Sequence, residues 1–270
     1  MRTLVHLSDL HFGRIDPGVL EPLRLAVVAA APDLVAISGD FTQRARRTEF
    51  AAARAFIDSL PTPRLVVPGN HDVPLKNVVA RFVSPLIRYK TFISPDLEPE
   101  YVDDEMMVIG VNTARSWAWG GGRINEGQVE RIVQRLGAAP PSLIRIVVTH
   151  HPFDLPPGVA ERRLLGRAYM AMGRLAAANA DLFLSGHLHL THASHSIERY
   201  RIEGHSALIV QAGTVSLRGR GEQPSFNVLR IQRPEIHLST FVWDPAAHRF
   251  VESEARHFRH TPEGWIGRLE

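Results

Sequence analysis

Leu4-Val5-His6-Leu7-Ser8-Asp9-Leu10-His11 opens the chain with a short apolar run that ends on an acid and an imidazole two residues apart. The run has the length and composition of a buried strand, and Asp9-x-His11 falls just beyond its end. The same construction recurs four times. Leu34–Ile37 leads to Gly39-Asp40, and Arg64–Val67 to Gly69-Asn70-His71-Asp72. Ile144–Val148 leads to His150-His151-Pro152, and Leu182–Leu184 to Gly186-His187-x-His189. One Asp-x-His after a strand is most often a turn with a surface histidine, and Gly-Asp ends many strands. Gly69-Asn70-His71-Asp72 is the strongest single fragment, because three polar side chains in a tight turn serve chemistry better than packing. Five such pieces at five strand ends point to a two-metal hydrolytic site.

Bulk properties narrow the class. The 270 residues are enough for a substantial core. A hydrophobic content of 44% with 22% charged residues is that of a soluble globular protein. No apolar stretch approaches the roughly 18 residues of a membrane span. The Leu4–Leu7 strand leaves no room for a signal peptide before it, so the expected location is the cytoplasm. The absence of cysteine excludes disulfides, thiolate ligands and thiol nucleophiles, so any metal must be held by oxygen and nitrogen. Net charge is only +3 and nearly all arginine, the lysines being Lys76 and Lys90. The clusters Arg44/Arg46/Arg47, Arg162/Arg163 and Arg218/Arg220 are interspersed with acids and are assigned to solvated surface. No concentrated basic stripe indicates nucleic acid as a partner.

The first two thirds alternate strands with helical stretches over Val19–Ala31, Thr48–Ser59, Glu126–Leu136 and Val159–Ala178, and Met107–Val111 adds a sixth strand. Asn125 before Glu126 is a candidate N-cap. Continuous apolar strands suggest a sheet buried on both faces. The last third is strand-like over Ala207–Gln211, Ser225–Ile231, Glu235–Phe241 and Arg249–Glu254, with little helix between. The expectation is one domain over residues 1–270, with metal motifs within 9–189 and second-sheet strands at about 207–254. Beyond Trp243 the chain is polar and histidine-bearing, and the sequence does not indicate its role.

In extended backbone, residues i and i+2 point to the same side, so Asp9 and His11 can reach one ion, as can His187 and His189. His150 and His151 should point apart, leaving one of them as a ligand. Open α/β sheets place their sites at the carboxyl ends of the strands, where all these loops would gather. Two ions about 3.5–4 Å apart can clamp a phosphoryl group and generate hydroxide near neutral pH. The nitrogen–oxygen donor set suits manganese, iron, zinc or nickel better than calcium or magnesium.

Asp-x-His, Gly-Asp, Gly-Asn-His-Asp, His-x-Pro and Gly-His-x-His in this order resemble the calcineurin-like metallophosphoesterases over roughly residues 1–215. The resemblance implies an α/β fold, a four-layer αββα sandwich of two mixed β-sheets flanked by helices. It implies a cofactor of two divalent or trivalent transition-metal ions, manganese, iron or zinc. Carried over, Asp9, His11 and His189 would hold one ion, Asn70, His150 and His187 the other, and Asp40 would bridge. His151 would stand behind the ligands or in the substrate pocket. His71 would be the proton donor, oriented by Asp72, in an in-line attack by a hydroxide shared between the metals.

The Leu-Ser-Asp-Leu-His opening, Ser-Gly-Asp-Phe-Thr and Gly-His-Leu-His are most similar to the bacterial cyclic-nucleotide phosphodiesterase-like and glycerophosphodiesterase-like subgroup. The UDP-diacylglucosamine pyrophosphatases typically carry arginine where this chain has His71. The implied partner is a small-molecule phosphoester, a cyclic nucleotide or glycerophosphodiester. A phosphomonoesterase, a diphosphate or phospholipid head-group hydrolase, and a non-catalytic metal-binding scaffold stay open, as does a homo-oligomer. Asn112, Arg44 and His151 are the candidate substrate residues. Trp117, Trp119 and Gly120-Gly121-Gly122 form a candidate lid or subunit contact, and His192 and His195 candidate pocket residues.

Overall fold

Six short strands carry aliphatic side chains to both of their faces, so each needs packing above and below. In the computed structural model they obtain it from two sheets laid face to face with helices outside. The structure describes residues 1–75, 77–118, 120–219 and 221–269, with Arg268 and Leu269 described by backbone alone. Trp119 of the candidate lid and Arg220 lie outside the described residues. The first sheet contains β1 (Arg2–Leu7), β2 (Leu34–Ile37) and β3 (Arg64–Val66). The second contains β4 (Glu100–Val102), β5 (Met106–Val111), β6 (Ile144–Thr149), β7 (Leu182–Ser185), β8 (His192–His195) and β9 (Leu208–Gln211). The chain then returns to the first sheet with β10 (Ser225–Gln232), β11 (Glu235–Asp244), β12 (Arg249–Thr261) and β13 (Gly264–Leu269). Strand order is β13-β12-β11-β10-β1-β2-β3 in one sheet and β4-β5-β6-β7-β9-β8 in the other. Both are mixed, since β1–β2–β3 and β5–β6–β7–β9 run parallel while the outer strands pair antiparallel.

Alternation along the strands sorts the core into layers. Leu4, Leu34, Ala36, Val108, Ile146, Val148 and Leu184 fill the space between the sheets. Val5, Leu7, Val35 and Ile37 face the other way, toward α1 (Pro17–Ala29) and α2 (Arg47–Asp58). In α1, Val19, Leu23 and Val27 recur every fourth residue and form its buried stripe. Ile109, Val147 and Phe183 face the other pair of helices. Two short helices, α3 (Val78–Val83) and α4 (Ile87–Phe92), precede β4. The facing pair is α5 (Glu126–Ala138) and α6 (Ala168–Ala177), and α7 (Ser196–Tyr200) follows β8. The result is the expected αββα sandwich. Each fully buried Val, Leu or Ile contributes about 1.5–3 kcal/mol relative to exposure. Asn125 caps α5 as expected: its side chain accepts from Gln128 N at 2.9 Å, and Gln128 accepts in return from Asn125 N at 3.0 Å.

Three expectations need correction. The strands of the last third do not make a sheet of their own. Leu208–Gln211 joins β7 in the second sheet, whereas Ser225 onward extends the first sheet from β1. The polar tail beyond Trp243 forms two further strands, β12 over 13 residues and β13 over 6, with β13 at the edge of the first sheet. The expected Val159–Ala178 helix begins only at Ala168. The backbone ahead of it is used elsewhere: Gly166 N donates to Gly122 O, Ile124 N donates to Gly166 O, and Arg167 is left-handed.

Candidate dinuclear metal centre

The carboxyl ends of β1, β2 and β3 in one sheet and of β5, β6 and β7 in the other converge on one cleft, and every expected ligand lies there. Their backbones, however, are not extended. Asp9, His11, Asp40, His187 and His189 all have positive φ, between 45° and 73°. A non-glycine residue in that region costs of order 1–2 kcal/mol, and such conformations concentrate at functional sites. Neighbouring loops hold the turns in place: Asp9 N donates to Gly39 O at 3.1 Å and His11 N to Asp40 O at 2.9 Å. Gly39 and Gly186 are needed for this close approach. A Cβ on Gly39 would stand 2.8 Å from His150 Nδ1, and one on Gly186 would overlap Ser8 Oγ and Asp9 Oδ2.

The polar atoms form two groups that share a carboxylate. In the first, His11 Nε2 and His189 Nε2 face each other at 3.0 Å, with Asp9 Oδ1 at 3.4 Å and 3.1 Å from them. In the second, His150 Nε2 lies 3.1 Å from Asn70 Oδ1, with His187 packed beside it at a ring separation of 5.2 Å. Asp40 Oδ2 stands 3.6 Å from His11 Nε2 and 3.4 Å from His150 Nε2, so one oxygen serves both. The two groups can coordinate two divalent or trivalent ions.

The donors fit such ions on further grounds. Asp9 Oδ1 and His187 Nε2 are buried with no hydrogen-bond partner, which costs free energy unless something fills the space between them. Three of the expected ligand imidazoles also have their tautomer fixed by the backbone. Nδ1 of His11, His150 and His189 donates to the carbonyls of Thr42, Ser38 and Arg218, at 3.4, 2.7 and 3.0 Å. Each therefore presents Nε2 with its lone pair free.

Electrostatics lead to a pH dependence. Burial works against charge on His150, but the Asp40 carboxylate beside it outweighs burial and raises its pKa to about 9. The same imidazoles hold Asp40 and Asp9 far below the usual carboxylate range despite burial. Without metal, His150 therefore carries a proton at neutral pH, and an incoming ion must displace it. Metal affinity should rise about tenfold per pH unit as pH increases toward 9 and fall correspondingly as pH drops. A chelator-competition titration between pH 6 and 9 measures this slope, and a flat profile would contradict it.

Around the ligands the structure brings some expected residues together and moves others apart. His71 Nδ1 donates to Gln43 O at 2.9 Å, and its backbone N–H donates to Asp40 Oδ1 at 2.7 Å. Asp72 was expected to orient His71 and does not touch its ring. Its carboxylate accepts from Gly69 N, Phe41 N, Thr42 N and Thr42 Oγ1, tying the loops after β2 and β3 together. Burial and the nearby Asp40 push the Asp72 pKa up to about 7. His151 was expected to point away from His150. Instead the two rings meet edge-on at 4.8 Å, His151 joins His150 and His187 in one group, and its Nδ1 lies 2.8 Å from Thr113 Oγ1.

Asn112 is half-buried, accepts from Ala114 N at 3.0 Å, and lines a cavity of about 430 Å³ with Val73, Leu86, Leu97, Arg115 and Trp117. Arg44 is exposed, its backbone N–H bound to Glu49 at 2.7 Å. His192 turns to Asp154 at 3.7 Å and His195 to Phe258, so both leave the metal cleft.

Arg218 corrects the surface assignment. Its guanidinium Nη1 lies 3.0 Å from His71 Nε2, while its own carbonyl holds His189. Burial lowers the proton affinity of Arg218, and Arg44 and Arg14 act on it in the same direction. Nothing local in the sequence marks Arg218, which stands 147 residues from the histidine it meets.

Comparison with known proteins agrees with this geometry. The calcineurin-like phosphoesterase family matches residues 2–190. The chain belongs to that family. A curated relative, glycerophosphodiester phosphodiesterase GpdQ of Enterobacter lignolyticus, is 36% identical over 80 residues, covering 26% of this chain and 29% of the relative. Among solved structures, purple acid phosphatase PPD1 from yellow lupin superposes with a TM-score of 0.67 at 12% identity. That match covers 94% of this chain and 53% of the phosphatase, so the chain spans about half its length. Zinc-bound Vps29 from Entamoeba histolytica matches at a TM-score of 0.48 and 11% identity, over 93% of this chain and 97% of that one. Among the described residues no helix is long and apolar enough to cross a membrane.

Proposed function

We propose that this calcineurin-like phosphoesterase is a metal-dependent phosphodiesterase acting on a small phosphodiester of the cyclic-nucleotide or glycerophosphodiester class. The observation that carries the reading is Asp40 Oδ2, which stands between His11 Nε2 and His150 Nε2 while His71 flanks the same carboxylate. Asp9, His11 and His189 would hold one ion, Asn70, His150 and His187 the other, with Asp40 between them. Bound there, two ions lower the pKa of water and neutralise the phosphoryl oxygens.

The remaining work falls to the protein. His71 has Nδ1 committed to Gln43 O, so only Nε2 faces the cleft and can carry a proton to a departing alkoxide. Burial lowers the proton affinity of His71. An anionic substrate would draw the Arg218 guanidinium onto phosphate, as arginine forks favour. That movement would free Nε2 to take up a proton. The cavity beside Asn112 offers apolar walls for the organic part of the ester, whereas His151, buried against Thr113, lies outside its lining. An intact donor set favours catalysis over a scaffold role, since a scaffold has no need to keep orphaned buried donors aimed at one point.

A panel of cyclic nucleotides, glycerophosphodiesters, nucleotide diphosphates and phosphomonoesters, offered to manganese-loaded protein, tests the substrate class. Diesters should be turned over in preference. Preference for a monoester or a diphosphate would replace this reading with the corresponding hydrolase. The partial similarity to a glycerophosphodiester phosphodiesterase supports placing glycerophosphodiesters first in that panel.

A further inference from the structure

Far from the cleft, β11 and β12 present a second group of metal-binding side chains. Glu235 and His237 are two residues apart on one strand and so share a face. His257 sits directly opposite His237 in the antiparallel register. Glu235 Oε2 lies 3.7 Å from His257 Nε2 and 4.0 Å from His237 Nε2, and one donor atom from each residue falls within 4.8 Å of the others. The imidazoles stack at 4.2 Å with an interplanar angle of 10°. His257 Nε2 is buried and has no hydrogen-bond partner. Neither the catalytic proposal nor the packing of the sandwich uses these groups.

We infer that Glu235, His237 and His257 form a third metal site, for one divalent transition ion of the zinc class, which ties β11 to β12. Bonds of about 2.0–2.2 Å to a tetrahedral ion place ligand atoms about 3.4 Å apart, so the Glu235 spacings of 3.7 Å and 4.0 Å must close and the stacked imidazoles must turn out of parallel until their in-plane lone pairs meet at one point. Two neutral imidazoles and one carboxylate are the donors that zinc, nickel and copper prefer. An antiparallel ladder fixes all three Cα positions, so little chain entropy is lost on binding. The register separates the site from the dinuclear centre. His237 pairs with Arg230, which pairs with Thr3, six residues before Asp9 on β1. Six residues of strand span roughly 20 Å.

Zinc titration of chelator-stripped full-length protein, followed by calorimetry, tests the site by difference. The wild-type chain should take up one more equivalent than His237→Ala/His257→Ala, with circular dichroism unchanged because the side chains lie on an open face. Glu235→Gln, which keeps the size of the side chain, should weaken that extra equivalent while leaving the others. As a second measure, zinc should protect His237 and His257 from diethyl pyrocarbonate, mapped by mass spectrometry, even in Asp40→Ala protein. That background makes failure of this site distinguishable from failure of the dinuclear reading. Equal zinc uptake by wild type and double variant, or unprotected histidines at saturating zinc, would overturn the inference and leave only a surface ion pair.

Discussion

Asp40→Ala should strip both ions from the cleft and bring phosphodiester turnover to background. Asp40 Oδ2 lies within 4 Å of an imidazole from each group, so its loss would remove a ligand from each ion and a negative charge between them. The loss should exceed the roughly 10²–10³-fold that removal of a single transition-state donor costs, because the charge stabilisation and the activated water disappear together. Asp40 Oδ1 also accepts from His71 N, so the alanine variant disturbs the Gly69–Asp72 turn as well. Asp40→Asn separates the two effects, since it keeps the volume and an oxygen acceptor but not the charge. Elemental analysis of the purified variants should find the cleft ions missing from the alanine form and weakly held in the asparagine form. A variant that retains both ions and normal rates would remove Asp40 from its bridging place.

His71→Ala is expected to lower turnover by about 10²–10⁴, the range for a lost general acid, with metal content unchanged. The histidine's backbone N–H binds Asp40, and its ring, edge-on to His11 at 4.9 Å, is held by Gln43 O rather than aimed at the ions. The loss should be large for diesters with alkoxide leaving groups and much smaller for nitrophenyl diesters, whose phenolate departs without a proton. A general acid works in its protonated form, so wild-type rates should fall as pH rises through the His71 pKa, and this limb should vanish in the variant. Loss of metal instead would make His71 a ligand. An equal loss for both leaving groups would make it a positioning residue for Arg218.

Much of the centre was legible because strand ends repeat one local pattern. Asp9, Asp40, Asn70, His150 and His187 each follow an aliphatic run that can be recognised by its composition, and the parallel sheets gather their ends by geometry. What the pattern could not convey was how the ligands point. Asp9, His11, His187 and His189 aim their side chains through left-handed turns fixed by bonds to other loops, not through extended backbone. Asp72 follows the same logic: the N–H groups that donate to it lie in the loop after β2, which local sequence does not reveal.

Arg218 and the C-terminal strands mark the limits of local reading. The guanidinium meets His71 only because β10 brings its flanking loop back to the first sheet beside β1. Only the first part of strand β12 was legible, as Arg249–Glu254, because most of its side chains face solvent. Glu252, Glu254 and Arg259 are exposed, leaving Phe250 and Phe258 as its two fully buried residues. Without an apolar face, period-two alternation carries little signal.

Hydrolysis of bis(p-nitrophenyl) phosphate and of p-nitrophenyl phosphate, followed as manganese is returned to chelator-stripped protein, tests the central claim most directly. Turnover should appear only as the two-ion cage fills, and it should favour the diester over the monoester. Full occupancy of the cage with no turnover of either ester would contradict the account and leave a metal-binding scaffold on the same fold.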